Sequence, residues 1–472
     1  MKKILLVYLP FCTPATPSYS LTAMHSFLQS NCYNGIKLDV LDLNIVFHSL
    51  KFPDFQQYFK DKNKWSEYGQ KSEEYIRLSG SVYSQNNSAV VNGDKPEFFD
   101  QLLSQVISKK PDIVAFSIVY SSQAFFAKSM LDALKDLGIM TVIGGPSMQD
   151  ALIADHKFSN EVEFLEFING KKTKKLDHGV PDFSIWDLDK YFTPYPVLPL
   201  KITSTCPYQR CAFCAHYAEV PYHEYDLDNL KKTILKSGQK YFFIIDDMIP
   251  RKRLLQFVEM IRPLDCFWAC QLRPTKEFDY ETLNILRESG LVMILWGVES
   301  GSDRVLELME KGTNLKDVKK VLRDSFEAGI SNVAYIMFGF PTETIQEFKQ
   351  TLCFLEENKE YIDLVSSTVF GLQHGTPIFE NPEKFGIINI NEKKRTVLEP
   401  KITYDVESGL TQKQATRLKD RNKKKIERIG KFPKSMNFFR EHMIVLLGDE
   451  KKETSSIKLI NHAFDKITKF IT

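Results

Sequence analysis

Apolar runs of strand length alternate with helical stretches twice along this chain, and that alternation leaves few folds open. In the first third the runs are residues 4–9, 112–117 and 140–143, and residues 38–43 alternate apolar and polar as a strand does. Residues 21–28, 98–106 and 124–137 carry helical spacing between them. The alternation restarts with six further runs, at 199–203, 241–245, 267–271, 293–297, 332–338 and 364–368. Helical segments at 227–236, 254–261, 280–289, 302–309, 315–328 and 345–358 separate these. Near-continuous apolar strands are buried on both faces, and strands alternating with helices build parallel sheets with right-handed crossovers. Six β/α units fall short of a closed eight-fold barrel, so the second half predicts an open, partial barrel. In both halves, ligands are expected at the carboxyl ends of the strands.

A chain of 472 residues exceeds what one core usually covers. The pattern divides it into 1–180, 195–375 and 376–472. An insertion of about residues 48–95 interrupts the first part; its centre, 52–92, reads as polar, aromatic and irregular. The last part is lysine-rich, with Lys393-Lys394-Arg395 and the stretch 417–428, and helices are expected from Gln412 onward. Such charge runs read first as a solvated helix face. A net charge of +2 supplies no bulk attraction for nucleic acid or membrane. The apolar start, residues 4–9, is short and followed by Pro10 and a polar stretch, so it reads as a buried first strand rather than a signal peptide. No apolar run approaches the roughly 20 residues of a membrane span.

The chemistry concentrates in one loop. Cys206, Cys211 and Cys214 follow directly on the first strand of the second alternation. Thiolates this close hold iron–sulfur clusters or zinc. Three thiolates on a four-iron cluster leave one iron open to a small molecule. The zinc alternative would recruit His216 as fourth ligand. The eight cysteines do not form the dense framework of a small secreted domain, which favours reduced thiols in a cytoplasmic protein. Cys266 and Cys270 flank an apolar strand and read as core thiols.

The three-cysteine loop resembles that of the radical S-adenosylmethionine superfamily, with one departure. The family spacing is C-x3-C-x2-C, and this chain has C-x4-C-x2-C. Downstream segments extend the resemblance in order: Asp246-Asp247, Gln271-Leu272-Arg273-Pro274, Trp296-Gly297-Val298-Glu299-Ser300-Gly301-Ser302, Lys311-Gly312-Thr313 and Met337-Phe338-Gly339-Phe340-Pro341. The resemblance implies a [4Fe-4S] cluster on Cys206, Cys211 and Cys214. It also implies S-adenosylmethionine contacts from Phe213, Asp246, Asp247, Arg273, Glu299, Ser300 and Gly339. The cluster would deliver one electron and release a 5′-deoxyadenosyl radical, with an electron donor such as flavodoxin or ferredoxin.

The first domain is similar to the cobalamin-binding domain that precedes many such enzymes, including ones that mature peptide natural products. Leu6-Val7-Tyr8-Leu9-Pro10, Leu41-Asp42-Leu43-Asn44 and Ile143-Gly144-Gly145-Pro146 carry that similarity. It implies cobalamin beside Pro10, Ser117, Gly144 and Gly145. The D-x-H-x-x-G motif that supplies a histidine below cobalt is absent. The implied fold class is α/β: a Rossmann-like domain of cobalamin-binding type, a partial TIM-like (β/α)6 barrel and a mostly helical C-terminal region. The implied activity is C-methylation of an unactivated carbon in a ribosomally made peptide or a small molecule. No side chain is assigned as catalytic, and neither nucleic acid nor membrane is an expected partner. A radical epimerase or ring-forming enzyme, with or without cobalamin, is the first alternative, and a zinc-bound binding module the second.

Overall fold

The first alternation folds as a five-stranded parallel sheet in the order β2-β1-β3-β4-β5. Its strands are β1 (Lys2–Tyr8), β2 (Ile36–Asp42), β3 (Ile113–Ser117), β4 (Met140–Gly144) and β5 (His156–Phe158). Of the four longer strands, β1, β3 and β4 were legible as apolar runs and β2 as an alternating one. The fifth was not, because three residues carry no periodicity. The strand order reverses between β1 and β3, which opens a crevice at their carboxyl ends. Helices α1 (Tyr19–Asn31), α2 (Leu43–Lys51), α5 (Phe99–Ser108), α6 (Gln123–Asp136) and α7 (Glu161–Asn169) belong to this unit. The computed structural model describes residues 2–33, 35–148, 151–172, 176–215, 221–394 and 400–452.

The stretch expected to be irregular is instead helical, as α3 (Pro53–Lys60) and α4 (Tyr68–Val91). The buried positions of α4 are Tyr68, Ser72, Tyr75, Ser79, Val82, Asn86 and Val90, spaced three or four apart. Small polar residues on that stripe disguise its period. Two buried histidines bolt this insertion in place. His48 on α2 meets the hydroxyls of Tyr75 (2.6 Å) and Tyr83 (2.8 Å). His442 accepts from Tyr68 at Nδ1 (2.8 Å) and donates from Nε2 to the Phe192 carbonyl (2.5 Å). A carbonyl can only accept, so Nε2 must carry the proton. Burial pushes both imidazoles down to about 3, so both are neutral at pH 7.

The second alternation forms a six-stranded parallel sheet in sequential order, β11-β10-β9-β8-β7-β6. The strands are β6 (Val197–Leu200), β7 (Tyr241–Ile244), β8 (Phe267–Leu272), β9 (Leu291–Glu299), β10 (Ser331–Phe338) and β11 (Leu364–Val369). Between them run α8 (Leu227–Ser237), α9 (Arg251–Ile261), α10 (Tyr280–Glu288), α11 (Asp303–Leu308), α12 (Leu315–Glu327) and α13 (Ile345–Glu357). The first and last strands do not pair, so the sheet stays open. The C-terminal part holds α14 (Pro377–Glu380), α15 (Gln412–Glu427) and α16 (Arg440–Lys452), together with an antiparallel hairpin, β12 (Ile387–Lys394) and β13 (Pro400–Val406). The helices were expected and the hairpin was not. Helix α16 packs against β6 to β9, where Gly448 lies on the rings of Tyr241 and Phe267.

One apolar cluster runs through both sheets. A second, smaller one joins Ala212 of the cysteine loop to Val305, Met309, Phe340, Phe370 and the hairpin residues Ile387 and Tyr404. The hairpin therefore buttresses the cysteine loop. Among the described residues, no helix is long and apolar enough to cross a membrane.

Candidate active site

Chain leaving β6 is pinned at once by Asp246. Its carboxylate accepts from the Ile202 amide (3.1 Å), the Thr203 amide (2.5 Å) and the Thr203 hydroxyl (2.5 Å). Asp246 is 1% exposed, and burial pushes its carboxyl up to about 6 while these donors pull the other way. Its geometric role is to fix the root of the cysteine loop. Asp247 beside it is exposed.

The thiols of Cys206, Cys211 and Cys214, each half-buried, stand on that loop. The Cys214 amide donates to the Cys211 carbonyl (3.2 Å), closing a tight turn. The residue added relative to the family spacing is accommodated by Gln209 in the left-handed region, φ 51°. Two backbone bonds peg the loop: Ala212 N–H to the Met309 carbonyl (2.9 Å) and Ile378 N–H to the Ala212 carbonyl (3.0 Å). Tyr208 pegs it again, donating to the Glu310 carbonyl (2.9 Å). The Arg273 guanidinium lies 3.6 Å from the Tyr208 ring centroid and donates to the Lys311 carbonyl (3.2 Å). A Cβ on Gly312 would stand 2.2 Å from the Tyr208 oxygen, so only glycine fits there.

Glu299 ends β9, where the register with β10 shifts and its own φ is 64°. It accepts from Lys311 Nζ at 2.7 Å, and both side chains are only 10% exposed. The pair lies over Gly297, where a Cβ would come within 2.9 Å of both charged groups. Lys311 also sits 5.5 Å from the Phe213 ring centroid. Burial works against the Lys311 charge, but Glu299 and Cys211 together hold its pKa up. Burial in turn raises the Cys211 thiol, while Lys311 and Arg273 favour the thiolate.

The expected site residues thus separate into two groups. Phe213, Arg273 and Glu299 gather around the cysteine loop. Ser300 does not face the same way: it is fully buried, and its hydroxyl lies 3.4 Å from Thr351 of α13. Gly339 turns toward α15, where its Cβ would meet Ala415 at 2.5 Å. Lys311 and Tyr208 were not assigned roles from sequence. Lys311-Gly312 was visible there as a motif, but its pairing with Glu299 was not. His216 lies outside the described residues. Among the described residues no group of three or more His, Cys, Asp or Glu side chains, the three loop cysteines included, is placed to hold a metal ion.

A cavity of about 860 Å³ opens at the carboxyl edge of the first sheet and reaches the start of the second. Ser117, Gly144 and Gly145 line it, with apolar Met24, Phe27 and Phe164 on one side and Lys201, His223 and Tyr225 on the other. Pro10 is buried and is not among the residues that line it.

Residues 200–355 match the Radical SAM superfamily. The chain is 24% identical over 233 residues to an uncharacterized methyltransferase of Pyrococcus horikoshii, covering 47% of this chain and 50% of the relative. It is 26% identical over 215 residues to the bacteriochlorophyllide d C-12(1)-methyltransferase of Chlorobaculum tepidum, covering 42% and 46%. The chain spans about half the length of these curated relatives. Its fold is similar to the radical S-adenosylmethionine methyltransferase TsrM from Kitasatospora setae with cobalamin and a [4Fe-4S] cluster bound. The TM-score is 0.59 at 14% identity, covering 85% of this chain and 83% of that one. It is also similar to the cobalamin-dependent radical enzyme OxsB with aqua-cobalamin and S-adenosylmethionine bound. There the TM-score is 0.57 at 15% identity, covering 96% and 72%. At these identities the likeness is one of fold.

Proposed function

We propose, on the premise that residues 200–355 are a radical SAM domain, that this protein is a cobalamin-dependent C-methyltransferase. Its substrate is an unactivated carbon of a ribosomally made peptide. The observation that carries the reading is one chain holding both halves of the machinery. A three-thiol loop stands at the mouth of an open β/α sheet, and a cavity of about 860 Å³ stands at the carboxyl edge of a Rossmann-like sheet. The methyltransferase names of the relatives support the same reaction class.

The chemistry of the residues present suits the groups this function needs. Three half-buried thiols beside two cations suit an anionic cluster, since Lys311 and Arg273 stabilise thiolate. Cys206, Cys211 and Cys214 would hold the cluster, and Phe213, Arg273 and Glu299 would contact S-adenosylmethionine. The cavity's apolar wall and its Gly144-Gly145 edge suit a large, flat ligand approached by backbone, and Ser117 would stand beside cobalamin there. When bound, these cofactors supply a carbon-centred radical and a transferable methyl group. The chain's own part is positioning. Asp246 fixes the loop root, Tyr208 and Arg273 set its middle, and the Glu299–Lys311 pair keeps one carboxylate and one ammonium in place at the mouth. Ser300 and Gly339 shape the walls behind them.

Anaerobic reconstitution with iron, sulfide and cobalamin tests the proposal. Mass spectrometry should find methyl transfer from S-adenosylmethionine to added cobalamin and, with a reductant, 5′-deoxyadenosine. Radical cleavage with no cobalamin retained would replace methylation with the epimerase or ring-forming alternative.

A further inference from the structure

Helix α16 covers the face of the second sheet that the crossover helices leave open. Phe257 of α9 packs on Trp268 of β8 from one side, with ring centroids 5.2 Å apart. Phe267, the neighbour of Trp268, points the other way, and there Gly448 of α16 lies against it and against Tyr241. Phe267 and Tyr241 begin their strands. Arg440, the first residue of α16, lies farther along. Its guanidinium is 5.5 Å from the ring centroid of Tyr335, past the middle of β10. The helix therefore presents its N-terminus toward the carboxyl ends of the strands, where the cysteine loop stands.

Tyr335 shares a face with the candidate active site. It is in register with Gly297 of β9, and register partners on neighbouring strands point to the same side. The Glu299–Lys311 pair lies on that side, over Gly297. The first turn of α16 also reaches Tyr120, three residues beyond Ser117 on the carboxyl edge of the first sheet. The Tyr120 hydroxyl feels the charges of both Arg440 and Glu441. Arg440 thus stands between the residues proposed to contact S-adenosylmethionine and the edge that carries the large cavity.

The polar groups here lack partners. Among the described residues Arg440 forms no ion pair. The Tyr335 hydroxyl, Arg440 Nε and one carboxylate oxygen of Glu441 are buried without a hydrogen-bond partner. Glu441 is 6% exposed, and burial pushes its carboxyl up, toward the protonated form. Buried polar atoms are nearly always paired, so three unpaired ones around one helical turn mark a place shaped for a polar ligand. Packing explains a guanidinium over an aromatic ring. It leaves that cation without a counter-charge. A cation, a hydroxyl and the N-terminus of a 13-residue helix all favour an anion.

We propose that Arg440 and Tyr335 anchor a carboxylate of the substrate, so that the carbon to be methylated is held between the carboxyl edges of the two sheets. The inference rests on the methyltransferase reading above and names the chemical group by which its peptide is held: an acidic side chain or a free C-terminus.

The test reads binding without turnover. Three N-trifluoroacetyl tripeptides are titrated with the reconstituted full-length protein and followed by fluorine relaxation: alanine-glutamate-alanine amide, its glutamine counterpart, and trialanine as the free acid. At least one of the two carboxylate-bearing peptides should bind about tenfold more tightly than the glutamine peptide, and which one does so identifies the source. Arg440→Met should abolish that preference, Tyr335→Phe should reduce it a few-fold, and Arg440→Lys should keep part of it. Iron content and affinity for S-adenosylmethionine should hold in all three variants. Equal binding of the three peptides by the wild type overturns the anchor, as does an undiminished preference in Arg440→Met. Lost S-adenosylmethionine affinity in Arg440→Met also overturns it, by assigning Arg440 to the cofactor. Should that variant fail to fold, an unaltered preference in Tyr335→Phe overturns the site. Intact preference without any methyl transfer in the wild type would instead defeat the methyltransferase reading and leave the anchor standing.

Discussion

Removing one partner of the Glu299–Lys311 pair should damage the fold far more than its surface counterparts would. The two groups are 2.7 Å apart, and each side chain is 10% exposed. Breaking a buried pair from one side leaves the other charge without compensation and costs about 3–5 kcal/mol. Exposed pairs such as Lys319–Glu357 contribute about 0–1 kcal/mol. Lys311→Met also removes the ammonium from the Phe213 face, adding roughly 0.5–2 kcal/mol. For a unit of the size of the second sheet and its helices, about 2–4 °C per kcal/mol applies. The iron-free protein carrying Lys311→Met or Glu299→Leu should therefore lose on the order of 10 °C in the melting transition of that unit. Lys311→Met/Glu299→Leu should recover much of the loss, because an apolar pair needs no compensation. Calorimetry on the four proteins closes the cycle. Single losses below about 2 °C that simply add would refute the reasoning, since coupled neighbours do not add.

Changing Cys206, Cys211 and Cys214 together to alanine should abolish the brown iron–sulfur absorbance and cleavage of S-adenosylmethionine. Stoichiometric zinc without iron after anaerobic reconstitution of the wild type would contradict the cluster. Glu299→Ala should weaken S-adenosylmethionine binding while iron content holds, and calorimetric titration showing unchanged affinity would remove Glu299 from the cofactor site. Glu343 is fully buried and accepts from the Gly339 amide at 2.5 Å, and burial pushes its carboxyl up to about 7. The native state then holds a proton that the unfolded state releases from about pH 4.5, so stability falls by roughly 3 kcal/mol as pH rises through 7. Glu343→Gln should flatten that fall in pH-dependent melts, and an unaltered slope would exclude Glu343 as its source. Paramagnetic resonance of the cobalt(II) form should lack nitrogen superhyperfine splitting, because no D-x-H-x-x-G motif exists. A nitrogen triplet would point to His178 or His223 on the cavity wall.

Nine of the eleven strands in the two parallel sheets were legible with little shift: the inner strands are apolar runs, while the edge strand β2 alternates with its half-buried face. The exceptions are instructive. Strand β5 is three residues long, and β6 was read two or three residues late because the buried residues continue past its end to Ile202 and Thr203, where Asp246 takes their amides in place of the ladder. The cysteine loop was legible because its chemistry lies within nine residues. Helix α4 was missed because serine and asparagine occupy its buried stripe.

The sequence by itself determined the order of the longer parallel strands and the helices between them, the identity of the three thiols and the two α/β units. Those follow from periodicity and spacing, which are local. Tertiary structure alone decided which way Ser300, Gly339 and Asp246 face, because each turns toward a partner distant in sequence: Thr351, Ala415 and Thr203. It alone paired Glu299 with Lys311 and set Tyr208 under Arg273. It also brought His442 to Tyr68 across 374 residues. Each of those depends on desolvated contacts between distant segments, and no local pattern records where burial will bring two polar groups together.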